Sequence, residues 1–551
     1  MSKPLLHWLL PLIIGGLCMA QPAVAAQPGT GNLVSVAWLA KNLQRDDVLL
    51  LDASPPPMHS AGHIPGAHNI DVYSFGGREV SADEMERRIQ SWGVSPGKTV
   101  VIYDQGGSFL ATSLFFDLYY HGFPAHNLLV LDGGLAKWQA TGGTVTQDRS
   151  PAHKPGSFRV NQLREEVRVR LPEFLVASGD PAHNALVEAL EPSHHFGGAR
   201  FFDRAGHVPN AIMLPAADFY NADKTFKSAQ EIGRMLAYLG IRPEQQIHTH
   251  CGGGIAASVP FFSMKFMLDY PRVKLYKESQ LEWLRDDRGL PFWTYDAPTL
   301  TREKSWLSGW GSQMMRNFGV ARLSVVDVRS ADAFALSHVP YALHVPSELF
   351  RRHLSEPAKL AEALEAAGVD PEHEAVIMSD GGLNASSALA FLMLERLGQK
   401  RVSILMDSVA DWGFGGYSLT REPTLVGPKR APQDLAVPAS AYPARVRPGT
   451  LLAAPPPSPG LYPKVYLASG KAVPAASPAR GQEGRTIHVP FTDLLNPDGT
   501  PKAAKDIWSI LAKAGLPRYA EIICYADDPG EAAANYFLLK LMGYPDVKVL
   551  V

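Results

Sequence analysis

The sequence predicts an α/β protein assembled from one unit repeated four times, each unit a mostly parallel sheet flanked by helices. Three observations carry that expectation. Short apolar strands alternate with amphipathic stretches of helical length, the pattern of βα units. Four segments repeat one order of features. The 551 residues exceed what a single core serves, and ordinary domain sizes give roughly three to five domains.

Each unit opens on a short apolar strand: DVLLLDAS (47–54), HNALVEAL (183–190), LSVVDVRS (323–330) and PKVYLASG (463–470). A His-hydrophobic-Pro turn follows in three of them, at His63 in GHIPGAHNI, His207 in GHVPNAIML and His338 in SHVPYALHV. The fourth keeps only GRTIHVPF (484–491), with Gln482 at the His position. An amphipathic helix and a second strand then run into a loop: VVIYDQGGS, IHTHCGGGI, AVIMSDGGL and IICYADDPG. The separations His63 to Asp104, His207 to Cys251, His338 to Asp380 and Gln482 to Ala526 are nearly equal, the mark of duplication. A small-residue helix and a third strand complete three units, in NLLVLDGGLAKW, RVKLYKESQLEW and RVSILMDSVADW, and the last closes on DVKVLV. Open α/β sheets place ligands at strand C-terminal ends, so the four loops are the candidate sites.

Proline-rich or charged connectors mark the expected boundaries: QDRSPAHKPGS (147–157), WTYDAPTLTREKS (293–305) and the stretch from Arg421 to Pro463. The expected organisation is a signal at 1–26, units at 30–147, 158–297 and 298–425, a linker at 426–442, and a fourth unit at 443–551. The N-terminus, MSKPLLHWLLPLIIGGLCMAQPAVAAQ, has an early Lys, an apolar run from Leu9 to Met19 and small residues around Ala23–Ala26. That order reads as an export signal cut near Ala25 or Ala26. It implies a periplasmic or secreted protein with no stable membrane anchor after cleavage, since the run falls short of the ~20 residues of a spanning helix. The formal net charge of −2 and a charged share of 19% give no electrostatic case for a nucleic-acid partner. After cleavage only Cys251 and Cys524 remain, in different halves, so no disulfide framework is expected.

A strand ending in Asp-Ala, then GHIPGA, a loop after VVIY, and LDGGLAKW together resemble the rhodanese family, over essentially the whole mature chain as four tandem units. The first two units resemble the tandem thiosulfate or 3-mercaptopyruvate sulfurtransferases, in which an inactive unit precedes one bearing the Cys. CGGGIAAS followed by QLEW is similar to the active loop of those enzymes. The resemblance implies a five-stranded sheet per unit, no cofactor, no metal, and a persulfide on Cys251. It also implies a small anionic sulfur donor, thiosulfate or 3-mercaptopyruvate, and an acceptor such as cyanide, a thiol or a dithiol protein. The other three units are expected to be inactive, with Asp104, Asp380 and Ala526 at the Cys position.

The loop suits that chemistry. A thiolate is the nucleophile, and positive charge or a helix start favours it. Gly252, Gly253 and Gly254, with Ile255 and Ala256, let backbone N–H groups converge on one point ahead of a helix expected near Ile255. The same donors would hold an anionic substrate. Arg204 in FFDRAGHVPNA is the candidate to reach the donor anion, with Arg200 its competitor. His207 reads as a turn-stabilising side chain, because His63 and His338 recur where there is no thiol. His248 and His250 read as strand residues rather than a metal pair, His194 and His195 as an exposed turn, and Cys524 as core. Glu188 and Leu190 stand where the family has Asp-x-Arg. A cysteine phosphatase would need Arg six residues after the nucleophile, where this chain has Ala257. The alternative from another class is a non-catalytic sulfur carrier or scaffold built on degenerate units.

Overall fold

The computed structural model describes residues 31–75, 79–149, 154–200, 202–457, 460–475 and 484–551. The expected signal at 1–26 and Gln482 lie outside the described residues.

Four five-stranded sheets share one strand order. In the first, Leu33–Val34 lies beside Leu128–Leu131, then Thr99–Tyr103, Val48–Asp52 and His68–Asn69, and every pair is parallel. The second runs Arg168–Val169, Val273–Tyr276, Gln246–His250, Asn184–Glu188, Ala211–Met213. The third runs Thr301–Arg302, Arg401–Leu405, Glu374–Met378, Leu323–Asp327, Ala342–His344, and the fourth Leu451–Leu452, Val547–Leu550, Glu521–Tyr525, Lys464–Ala468, Arg485–His488. The central strands are buried on both faces because helices cover both, as parallel sheets require, and most of their residues are apolar.

Register fixes which residue occupies each loop. The central strands pair at their ends as Asp52 with Tyr103, Glu188 with His250, Asp327 with Met378 and Ala468 with Tyr525. The next residue is therefore Asp104, Cys251, Ser379 or Ala526. Ser379, and not Asp380, stands at the Cys position of the third sheet. His338 to Ser379 then matches His63 to Asp104 in separation, and the SDGG loop reads one residue earlier than its Asp suggests.

The sheets associate as two pairs. The helix Leu110–Tyr120 is buried almost all round, because it lies between the first and second sheets. Its Phe115 and Phe116 meet Phe262 and Phe261 of the second sheet's helix edge-to-face, with centroids 5.0 Å apart in each case. Ala385–Arg396 and Pro529–Leu541 repeat this between the third and fourth sheets, with Phe391 against Phe537 at 4.9 Å. A seam then joins the second and fourth sheets. Tyr238 Oη donates to the Ala520 carbonyl at 2.8 Å, and Tyr519 Oη donates to Asp218 at 2.6 Å.

The segment 426–442, expected to be a linker, is docked. Leu425–Val426 and Ala436–Val437 form a two-stranded parallel ribbon, and Val437 and Tyr442 are buried in the core of the third and fourth sheets. Its prolines suggest a spacer, yet Val437 and Tyr442 supply the apolar anchors that hold it down. Among the described residues no helix is long and apolar enough to cross a membrane.

Candidate active site

Cys251 follows directly on the strand Gln246–His250, at the C-terminal edge of the second sheet. The backbone N–H groups of Gly253, Gly254, Ala256 and Ala257 favour the charged form of its thiol. Of the residues expected to form an anion cradle, Gly253, Gly254 and Ala256 act on the sulfur through the main chain, and Ala257 joins them. The helix begins later than expected, at Ser258–Phe262, with Ala257 at its N-cap. Residues 251 to 257 thus wrap around the sulfur before the helix forms, which frees their N–H groups from the helical ladder.

A second layer holds the wrap in place. The Cys251 N–H donates to Ser279 Oγ at 3.1 Å, and Ser279 Oγ donates to the Tyr276 carbonyl at 2.7 Å. The N–H groups of Gln280 and Leu281 donate to the carbonyls of Cys251 and Gly252 at 3.1 and 2.8 Å. The QLEW helix therefore sits with its free N–H ends on the loop. Gly254 has φ +78, and a Cβ there would collide with the Lys277 carbonyl. At Gly253 a Cβ would meet nothing within 4 Å, and at Gly252 it would touch the Phe202 ring. Of the three glycines, only Gly254 is required by the backbone path.

Burial sets the state of the thiol. Cys251 is 3% exposed. Desolvation pushes it up from its ordinary value, and the four N–H groups draw it back only in part. The sequence alone suggested a thiol favoured as thiolate; in the closed loop it is held as thiol. Cys524 is buried as a core residue, and burial alone raises it further.

The first sheet shows what the cradle accepts. Asp104 is buried, and its carboxylate takes N–H groups from Gly106 at 2.8 Å and Ala111 at 2.9 Å. Burial pushes this carboxyl up from its ordinary range, and the same N–H groups draw it back in part. A turn of the second sheet closes over it: Tyr220 Oη donates to the Ser108 carbonyl at 2.5 Å, and Lys224 lies against Gly107. The third sheet's loop is covered in the same way, Leu383 N–H donating to the Gly499 carbonyl at 2.8 Å. In both pairs the following unit's turn covers the preceding loop. Ser379 Oγ accepts from Asn384, and Asp380 is exposed.

Arg204 is turned to the segment after the QLEW helix rather than to the Cys251 loop. Its guanidinium donates to the carbonyls of Trp283, Leu284, Arg285 and Leu290 and stacks on Phe292. It clamps the loop after the QLEW helix. Arg200 is exposed and donates to the Phe202 carbonyl. His248 and His250 are buried beside Phe174, and burial holds both near 4, neutral at physiological pH.

His195 overturns the expectation of an exposed turn: it is fully buried. Its ring stacks on His207 with centroids 3.7 Å apart and planes 1° from parallel, and its carbonyl takes a hydrogen bond from His207 at 2.8 Å. His195 Nδ1 meets Glu188, and Nε2 meets Asp296 Oδ1 at 2.5 Å. Burial opposes its charge, but Asp296 and Glu188 outweigh it and raise His195 to about 10. Burial and the His195 charge lower His207 to about 4. Burial pushes Glu188 up, yet His195 leaves it below the ordinary carboxylate range. Sequence reading missed this network, although the signal was there. Asp52–His59 and Glu188–His195 have the same seven-residue spacing, and His59 meets Asp52 at 2.7 Å and stacks on His63.

Four parallel sheets of one topology, one carrying a cysteine in a loop whose backbone N–H groups favour its charge, define a tandem α/β protein with a single thiol loop. The sequence pattern of the rhodanese-like domain matches residues 35–141 and 309–413. The chain is 30% identical over 271 residues to the sulfur carrier protein TtuD of Thermus thermophilus, covering 46% of this chain and 93% of that one. It is 28% identical over 252 residues to a thiosulfate sulfurtransferase of Pseudomonas aeruginosa, covering 44% and 91%. It is 26% identical over 271 residues to the 3-mercaptopyruvate sulfurtransferase of Escherichia coli K12, covering 45% and 94%. The chain belongs to the rhodanese family. Its relatives are sulfurtransferases and a sulfur carrier, each matched over less than half of this chain.

Proposed function

We propose that this protein is a sulfurtransferase that moves a sulfane sulfur from thiosulfate, or from 3-mercaptopyruvate, to a thiophilic acceptor through a Cys251 persulfide. The observation that carries the reading is Cys251 at the end of the strand Gln246–His250, in a loop held by Ser279 and Gln280 whose backbone N–H groups favour a negative charge on its sulfur. In the first half-reaction Cys251 loses its proton to solvent and its sulfur attacks the outer sulfur of thiosulfate. The new S–S bond forms as the bond to the sulfonate sulfur breaks, and sulfite leaves with the electron pair. In the second, cyanide or a thiolate attacks the outer persulfide sulfur and Cys251 leaves as thiolate. The loop's N–H groups favour whichever anion is present, thiolate, persulfide or the departing group, which is preorganised electrostatic stabilisation. Four tandem units, of which the second alone is active, and export to the periplasm or beyond complete the proposal.

A second reading, a stoichiometric sulfur carrier, has its own support. Cys251 is buried and held as thiol, which disfavours rapid attack by small molecules. The test is thiocyanate formation by the mature protein with either donor and cyanide, beside Cys251→Ser. Turnover lost in the variant supports the enzyme, and the preferred donor names the reaction. One sulfur retained on Cys251 without turnover supports the carrier, and a protein with no turnover and no retained sulfur removes both readings.

A further inference from the structure

The stacked ring pair belongs to the fold rather than to the site. Phe334 stacks on His338 in the third sheet at 3.9 Å, as His59 does on His63 in the first at 3.7 Å. At His195 the stack is extended at both ring nitrogens. Toward the loop, His195 meets Glu188, the other Glu188 oxygen accepts from Gln280 Nε2, and the Gln280 N–H donates to the Cys251 carbonyl at 3.1 Å. Away from the loop, His195 meets Asp296, which is pressed against the fourth sheet. Gly543 lies so close to the Asp296 carboxylate that a Cβ there would collide with it. On either side Tyr295 Oη donates to the Lys502 carbonyl at 2.6 Å, and the Ala297 N–H to the Leu541 carbonyl at 3.2 Å. Asp296 also lines a cavity of 340 Å³ between the second and fourth sheets.

We propose that Asp296, His195, Glu188 and Gln280 are positioning residues, a relay through which the fourth sheet holds the Cys251 loop closed. Its effect on turnover rests on the sulfurtransferase reading; its effect on the loop does not. The relay gives the C-terminal pair of sheets a task at a site to which it contributes no reacting group. Buried polar chains of this kind specify one arrangement because every broken link leaves a group unsatisfied in low dielectric.

His195, His207 and Asp296 also carry the donor types of a zinc site, and His207 Nε2 makes no hydrogen bond. Two imidazoles stacked in parallel send their lone pairs out side by side within their ring planes. An ion bonded to both would lie far out of each plane, and His195 Nε2 is already closed on Asp296. The geometry favours the relay, and zinc is an outcome of the test.

The test uses the full mature chain with Asp296→Asn, His195→Gln and Gly543→Ala, each checked for native circular dichroism. Two properties are measured: the rate at which iodoacetamide labels the Cys251 peptide, and kcat and KM with thiosulfate and cyanide. The relay expects labelling about five-fold faster and kcat about ten-fold lower with KM within about two-fold, the pattern of a displaced reacting group. Asp296→Asn and Gly543→Ala should be non-additive when combined, because they break one link. Should His195→Gln fail to fold, the near-isosteric Asp296→Asn carries the test. Labelling and kcat both unchanged in Asp296→Asn overturn the relay. Faster labelling in a protein without turnover removes the proposed function and keeps the relay. One equivalent of zinc retained by the wild type after dialysis, and lost in Asp296→Asn, overturns it in favour of a metal centre.

Discussion

His195 is buried with its ring nitrogens on Glu188 and Asp296, and these two carboxylates favour its charged form. A buried imidazolium held by Glu188 and Asp296 ties stability to pH. The folded value, about 10, lies above the ordinary value of 6.5. The folded state therefore holds a proton that the unfolded chain has released above neutrality, and stability falls as pH rises toward the folded value. His207 and His250, held near 4, are neutral in both states above about pH 7.5 and add no slope there. We expect the wild-type unfolding free energy to decline between about pH 7.5 and pH 8.5, where Cys251 and Cys524, both raised by burial, add to the fall toward the upper end. His195→Gln should flatten that decline, as read from urea titrations at several pH values. Equal slopes in the two proteins would mean that His195 is neutral in the fold. The Glu188 link was legible in the seven-residue spacing it shares with Asp52 and His59, but the Asp296 link was not, because His195 acquires Asp296 from more than a hundred residues away. The cysteine was legible for the opposite reason: its cradle is continuous sequence, so spacing alone predicts it.

At the scale of the element, the segment from strand end to helix start is the functional part, and its glycines are unequal. Gly254 combines a left-handed φ with the Lys277 carbonyl where a Cβ would stand; Gly253 faces open space. Gly254→Ala is expected to destabilise the protein by roughly 1–3 kcal/mol through backbone strain and to reduce sulfur transfer by at least about ten-fold. Gly253→Ala should stay within about 0.5 kcal/mol and a few-fold in activity. Thermal unfolding beside thiocyanate formation separates the two, and equal effects would sink the argument that the turn at Gly254 shapes the loop. Sequence gave the three glycines one shared role, since a run of small residues hides which of them the backbone path demands. The loop of the third sheet shows the same limit. Asp380 matched the pattern by eye, and only strand register moved the position to Ser379.

At the scale of the whole molecule, the chain is two pairs of sheets, each pair welded by helices buried between its members. The core of the third and fourth sheets runs without a break from Val326 through Leu392 and Phe537 to Val549, and it takes in Val437 and Tyr442 of the intervening segment. Repeats were legible because each unit restates its strand, turn and loop; the pairing was not, because helices such as Leu110–Tyr120 are buried almost all round and show no single apolar face that names a partner. Apolar burial on this scale, at about 25 cal/mol per Å², exceeds what one chain connection contributes to holding two bodies together. Lys429 and Arg430 are exposed between the two short strands of the docked segment, ahead of its buried anchors. Brief trypsin treatment is therefore expected to cut there, while the two fragments continue to migrate as one particle in size-exclusion chromatography and separate only in denaturant. The anchors Val437 and Tyr442 stay with the C-terminal fragment and keep it docked on the third sheet. Fragments that part in native buffer would show that the fourth sheet is held mainly by its covalent link, and a pair so loosely joined could not press Gly543 against Asp296.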